Sequence, residues 1–222
     1  LIEEAISSDS AFASVLREIS LAYLPDLRGV DLRITARAVS TGKAEALIDR
    51  AEQELDARIA RWRYHANSGD IVESVSDTLK DRGLMLAVAE SCTGGLVTKR
   101  LTDYPGASAS FAGGVIAYDD SVKISALDVS QQNLSQFGAV SEVVALQMAL
   151  GVSKRLDSDV GLSVTGVAGP GGGTKDKPVG RVWFAVVING EEKTRSVDFL
   201  GDRDAVRERA AQAALAMLLR TL

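Results

Sequence analysis

Apolar and polar residues alternate along this chain with two periods, one of two residues and one of three to four, and stretches of each kind follow one another. Over residues 11–21, Phe12, Val15, Leu16 and Ile19 share one helical face, and Pro25 requires such a helix to have stopped. Residues 30–35 alternate strictly, which predicts a strand with Val30, Leu32 and Ile34 turned inward. Ser40 and Thr41 can each cap a helix. Beyond them Ala44, Leu47, Ile48, Ala51, Leu55 and Ile59 recur at three and four residues, the mark of an amphipathic helix. Residues 61–64 read as a second short strand, and Asn67, Ser68 and Gly69 as a linker. The pattern predicts a small α+β domain over residues 1–66.

A second domain is expected over residues 70–222. Asp70, three residues before Glu73, opens a helix in the manner of a capping box, and Gly83 closes it. Residues 84–89 are an unbroken apolar run, read as a buried strand that turns at Glu90, Ser91 and Cys92 into a helix over residues 93–103. Such a corner aims unpaired helix N-terminal amides at one small volume, and Gly94 and Gly95 leave the backbone open to a ligand. A strand over 111–118, short helical pieces over 121–137, a helix opened by Ser141 and Glu142, and a strand over 160–165 follow. After a glycine-rich loop at 166–180, residues 182–188 and 193–199 form a hairpin turned at Asn189 and Gly190, and Asp202 caps a final alanine-rich helix. Strands alternating with helices, plus one hairpin, predict a three-layer α/β/α domain with a mixed sheet.

Composition narrows the function classes. At 222 residues, 46% of them hydrophobic, the chain is long enough for a large core and a small one. No apolar stretch approaches the roughly 20 residues of a membrane-spanning helix, and no signal-peptide pattern opens the sequence. A net charge of −5 argues against general nucleic-acid binding. One His and one Cys argue against a zinc site, so no metal is expected. A single Cys allows no internal disulfide, which suits a reducing, cytoplasmic setting. The sequence starts at Leu1 rather than Met, as a piece of a longer chain would.

Familiar catalytic motifs fail. The run from Gly169 to Lys175 has the composition of a P-loop without its Gly-Lys-Ser/Thr ending, and it precedes a strand. Ser91 lacks the glycines of a nucleophile elbow, and the only histidine, His65, lies in the other domain. Six blocks remain: Ala89-Glu90-Ser91-Cys92-Thr93-Gly94-Gly95, Pro105-Gly106-Ala107-Ser108, Gly113-Gly114-Val115-Ile116-Ala117-Tyr118, Gly138-Ala139-Val140-Ser141-Glu142, Thr165-Gly166-Val167-Ala168-Gly169-Pro170-Gly171-Gly172 and Gly201-Asp202-Arg203. In this order they resemble the C-terminal domain of the CinA family, the bacterial nicotinamide mononucleotide deamidase domain. Residues 1–66 resemble, more weakly, the family's KH-like middle domain, and the part matching its N-terminal molybdopterin-binding-like domain lies outside this sequence.

The resemblance implies hydrolysis of the carboxamide of nicotinamide mononucleotide to nicotinate mononucleotide and ammonia, with no cofactor. It implies Ser91 as nucleophile and Lys123 as its base. An amine accepts a proton only when uncharged, so Lys123 is expected in a desolvated site or beside positive charge, some of it from the substrate's pyridinium. Tyr118 is expected to hydrogen-bond the pair or relay a proton, and the amides of Cys92, Thr93, Gly94 and Gly95 to form an oxyanion hole. Arg203, Thr165 and the loop backbone, including Gly166, Ala168 and Gly169, are expected to meet the 5′-phosphate; Glu90 and Ser108 complete the substrate-binding set. The family likeness also suggests a homodimer.

Each residue has a plainer reading that stays open. Ser91 can be an N-cap, Lys123 a solvated charge, Tyr118 core packing, Arg203 a partner of Asp202 or Asp204, Cys92 buried filler and Glu90 a polar strand end. The alternative function is a catalytically silent nucleotide-binding or scaffold module linked to competence or DNA damage. Against nucleic acid, residues 1–66 contain no Gly-x-x-Gly clamp.

Overall fold

A computed structural model of the chain describes Ile6, Val15 and residues 17–60, 62–64, 66 and 68–222. The chain divides into two compact units, Leu1–His65 and Ala66–Leu222.

In the first unit, strands β1 (Ile19–Pro25) and β2 (Val30–Ala36) pair antiparallel, and helix α1 (Thr41–Ile59) packs on them. The helix predicted over 11–21 therefore fails at its end, because Ile19 and Leu21 belong to β1. Residues three and four apart suggested a helix, but β2 has one apolar face and an unpaired ladder, and β1 satisfies both. Ile19 and Leu21 join Leu32 and Ile34 against Ala51, Leu55 and Ile59 of α1. Val30, expected inward, is exposed. The turn is closed by Asp26, whose Oδ1 accepts from the amides of Arg28 and Gly29 at 2.7 Å each. Residues 62–64 form no strand. Phe12, Leu16, Arg61, His65 and Asn67 lie outside the described residues.

The second unit is a three-layer α/β/α domain. After α2 (Ile71–Asp81), its elements are β3 (Leu86–Glu90), α3 (Leu96–Asp103), β4 (Phe111–Ile116), α4 (Asp120–Leu127), α5 (Gln131–Phe137) and α6 (Glu142–Arg155). Then come β5 (Val160–Gly166), β6 (Arg181–Ile188), β7 (Glu191–Asp198) and α7 (Arg203–Thr221). The sheet order is β4-β3-β5-β6-β7, with β3 parallel to both β4 and β5 and the β5-β6-β7 ribbon antiparallel. Helices α2, α3 and α7 pack together, whereas α6, flanked by α4 and α5, covers β3, β5 and β6. Strand β3 is buried on both faces, as its continuous apolar run required.

Caps set the helix starts. Asp70, Ser130, Ser141 and Asp202 each accept an amide of the following first turn. Glu73, however, reaches the amide of Ser68 rather than that of Asp70, so the capping box is opened by two residues. Close packing is made by two small residues on α6 and β5. A Cβ on Gly151 would stand 2.0 Å from the Leu127 carbonyl oxygen, and one on Gly161 2.2 Å from that of Ala149.

Chain order and sheet order together locate a crevice. From β3 the chain crosses through α3 to β4 on one side, then returns through α4, α5 and α6 to β5 on the other side of β3. The carboxyl ends of β3 and β5 thus flank the point where the winding reverses, the usual place for a ligand in such sheets.

Candidate active site

Ser91 follows β3 directly. Its amide donates to Val164 O of β5 at 2.9 Å, and its carbonyl accepts from Gly94 N, closing a tight turn over residues 91–94. Helix α3 begins only at Leu96, later than expected, with Gly95 at φ 93° as its N-cap. The reason is Glu90. Its carboxylate, wholly buried, accepts from the amides of Gly95 at 3.0 Å, Val97 at 3.1 Å and Thr98 at 2.8 Å. A side chain from the preceding strand therefore takes the orphan donors of the helix terminus, together with its partial positive charge.

This changes the expected oxyanion hole. Gly94 N is committed to Ser91 O and Gly95 N to Glu90, and Thr93 is wholly buried outside the cavity, which leaves Cys92 as the expected donor whose residue lines the cavity with Ser91. The Thr93 carbonyl is held from α7 by Arg207 Nη2 at 2.9 Å, while Thr93 Oγ1 is buried without a partner.

A cavity of about 220 Å³ opens at this corner, lined by Ser91, Cys92, Tyr118, Asp120, Lys123, Ala139, Val140, Thr165, Gly166, Ala168 and Arg203. A larger groove of about 500 Å³ between β7 and the end of α7 is lined by Glu192, Lys193, Thr194, Arg195, Met217, Arg220 and Thr221 and holds none of the residues expected from sequence. The smaller cavity gathers most of the residues expected from sequence.

Its deepest charge is Lys123, 1% exposed, in the first turns of α4. Lys123 Nζ donates to Tyr118 O and to Asp120 Oδ1, each at 3.1 Å. Among the described residues no hydrogen bond joins Lys123 to Ser91. Across the mouth, Arg203 Nη1 donates to Gly169 O at 2.8 Å and Nη2 to Tyr118 Oη at 3.0 Å. Thr165 Oγ1 is occupied by Ala139 O at 2.9 Å. Asp119 caps α4, and the hydroxyl and amide of Ser121 hold its carboxyl below the ordinary aspartate value.

Of the residues expected from sequence, Ser91, Cys92, Tyr118, Lys123, Thr165, Gly166, Ala168 and Arg203 line one cavity. Glu90, Thr93, Gly94 and Gly95 do not line it and act from behind the turn, and Gly169 contributes through the carbonyl that Arg203 grips. Ser108 is misplaced. It precedes β4, whereas Tyr118 follows it, and six residues of strand at ~3.3 Å each put the two at opposite ends of the sheet. The sequence reading missed Asp120, Ala139, Val140 and Arg207. Ala139 and Val140 sit in one of the six blocks, so position was the available signal; nothing in the spacing marked Asp120 or Arg207.

Cys92 is poorly suited to act as a nucleophile. Burial pushes its thiol up to about 12, with the Glu90 charge acting the same way, against the opposing pull of the Cys92 and Thr93 amides and Arg207. A thiol raised in the folded state contributes stability that is complete below its ordinary value of 9.0 and is lost as pH climbs through about 12. The folded chain should thus react with iodoacetamide at pH 8 at least about tenfold more slowly than the urea-unfolded chain. Equal rates would place the thiol at the surface.

With this geometry in view, two family models match the chain. One, the CinA C-terminal domain, covers residues 69–222; the other, the damage-inducible protein CinA KH domain, covers residues 10–64. The chain belongs to the CinA family. A CinA-like protein of Kosmotoga olearia is 41% identical over 191 residues, which is 86% of this chain and 46% of the relative. A putative competence-damage inducible protein of Halothermothrix orenii is 43% identical over 204 residues, 91% of this chain and 49% of the relative. The chain thus spans about half the length of the curated CinA relatives it matches. Among solved structures, a competence-damaged protein (CinA) superfamily protein from Escherichia coli superposes with a TM-score of 0.67 at 38% identity, covering 74% of this chain and 98% of that one. The competence/damage inducible protein CihA from Agrobacterium tumefaciens gives 0.66 at 38% identity, with 71% and 98% covered. Among the described residues no helix is long and apolar enough to cross a membrane, and no cluster of His, Cys, Asp and Glu is arranged to hold a metal ion.

Proposed function

We propose that the second unit is an amidohydrolase that converts nicotinamide mononucleotide to nicotinate mononucleotide and ammonia through Ser91 and Lys123. The observation that carries this reading is the convergence of a hydroxyl, a buried amine and an arginine on one small cavity at the carboxyl ends of β3 and β5. A space of about 220 Å³ is below the usual range for a whole drug-sized ligand. The pyridine carboxamide enters it, and the ribose phosphate extends to the mouth, where Arg203 stands.

Chemistry follows in two halves. Ser91 Oγ attacks the carboxamide carbon as uncharged Lys123 accepts the hydroxyl proton; the carbonyl oxygen, now negative, is met by the amide of Cys92. The C–N bond breaks, Lys123 returns the proton, and ammonia leaves an ester on Ser91. Water, deprotonated by the same amine, attacks that ester; Lys123 returns the proton to Ser91 Oγ as the C–O bond breaks, and the acid formed ionises to the carboxylate. Lys123 must first lose a proton and turn from Asp120 and Tyr118 towards Ser91, a step the substrate's fixed positive ring favours by repelling a second cation.

Ammonia release from nicotinamide mononucleotide by the purified chain tests the reading. Turnover that tracks the protein through purification is the expected result. Measurable binding of the nucleotide without ammonia would favour the silent module.

A further inference from the structure

Tyr118 touches two cations with two different atoms. Its phenol oxygen accepts from Arg203 Nη2 at 3.0 Å, and its carbonyl oxygen accepts from Lys123 Nζ at 3.1 Å. Tyr118 lies outside regular structure, between the end of β4 and the cap of α4, and is 60% exposed. One lightly packed residue therefore connects the arginine at the mouth with the amine at the bottom. Its carbonyl accepts from that amine, and among the described residues no hydrogen bond joins the amine to Ser91.

We infer that Tyr118 is a positioning residue through which a substrate phosphate releases Lys123 to Ser91, so that phosphorylated amides are selected at the catalytic step as well as in binding. This rests on the deamidase reading above and adds a specificity device to it. A phosphate dianion at the mouth offers Arg203 charge-assisted, two-point hydrogen bonds, which a neutral phenol cannot match. Arg203 Nη2 then leaves Tyr118 Oη. Freed at its ring end, Tyr118 turns about its own backbone torsions, and its carbonyl moves off Lys123 Nζ. The amine keeps only the exposed Asp120 carboxylate and swings to the hydroxyl. The resting pairing of Lys123 is on this account the state without an anion.

Two readouts on the whole chain, with phosphite dianion as the probe, test the coupling. The first needs no turnover. Lys123 is acetylated with an amine-directed ester and the extent is read by peptide mass spectrometry. Phosphite should raise the rate at Lys123 about tenfold, the scale of one hydrogen bond to a charged group, while leaving exposed Lys99 unchanged. In Tyr118→Phe, Lys123 should react at the raised rate with or without phosphite. The second readout is ammonia release from nicotinamide riboside, the same amide without its phosphate. Phosphite should accelerate it in the native chain, and Tyr118→Phe should be faster than native without phosphite and insensitive to it. A residue that merely supports the fold would slow both substrates and gain on neither. Deamidation of nicotinamide mononucleotide with no phosphite effect on Lys123 or on the riboside overturns the coupling and leaves the deamidase standing. A phosphite response at Lys123 with no ammonia from either substrate does the reverse. Equal losses on both substrates in Tyr118→Phe also overturn the coupling.

Discussion

Ser91→Ala is expected to lower kcat for ammonia release from nicotinamide mononucleotide by about 10⁴-fold to 10⁶-fold, the range seen when one member of a nucleophile-base unit is removed. Lys123→Met should lose as much, and the double variant little more, because neither group works alone. Binding of nicotinate mononucleotide by calorimetry should persist in Ser91→Ala, since the hydroxyl contributes chiefly after the substrate is seated. Folding should survive both changes. Ser91 is anchored by its backbone bonds to Val164 O and from Gly94 N, and Met fills the buried volume of the Lys123 side chain without leaving an uncompensated charge. A Ser91→Ala variant within tenfold of native would remove the serine from the chemistry.

The second large effect falls on stability. Glu90→Ala strips the acceptor from three amides at the start of α3 and opens a hole in a fully buried site. The expected loss is about 3–5 kcal/mol, comparable to breaking a buried ionic arrangement, read from the urea midpoint. Glu90→Gln keeps one acceptor oxygen and turns an amide group towards a donor, for a loss of about 1–3 kcal/mol. Both should lower kcat in the folded fraction, because the 91–94 turn that aims Ser91 and the Cys92 amide is fixed from behind by this carboxylate. Unchanged midpoints in both variants would mean that the helix terminus is satisfied some other way.

The second unit was legible in sequence because its signals agree with one another. Asp70, Ser141 and Asp202 each announce a helix and each caps one. Asn189 and Gly190 announce a hairpin and adopt φ 52° and 80° at its turn, as such a pair can. The continuous apolar run before Glu90 announces a strand covered on both sides, which is what a central parallel strand is. Where the reading failed, a long-range partner had overruled a local pattern. Ile19 and Leu21 satisfy a helical spacing, yet they pair with Ala36 and Ile34. The helix after Ser91 starts three residues later than its composition suggests, since Glu90 takes the amides at its terminus while Gly94 and Gly95 hold left-handed conformations at φ 59° and 93°.

The candidate site divides in the same way. Ser91, Tyr118 and Arg203 were nameable because they follow strand ends or open helices within recognisable blocks, and strand ends converge in a parallel sheet, whereas Lys123 lies outside every block and was named only because the family resemblance implies a Ser-Lys pair. Ser108 shared a block of the same kind but precedes its strand, which sends it to the opposite end of the sheet. Glu90 was visible as a residue but not as a partner of three amides, because that role depends on the carboxylate facing the helix that follows. The hold of Arg207 on Thr93 O spans 114 positions and leaves no local trace.

The account turns on an amine that reaches a hydroxyl only when the site is filled. The measurement closest to that claim is the separation of Lys123 Nζ and Ser91 Oγ in a crystal structure with nicotinate mononucleotide bound. The account predicts a hydrogen-bond distance of about 2.6–3.2 Å, with Arg203 on the phosphate and the Tyr118 carbonyl withdrawn. A seated nucleotide with Lys123 still on Asp120 and Tyr118 and out of reach of Ser91 would contradict it.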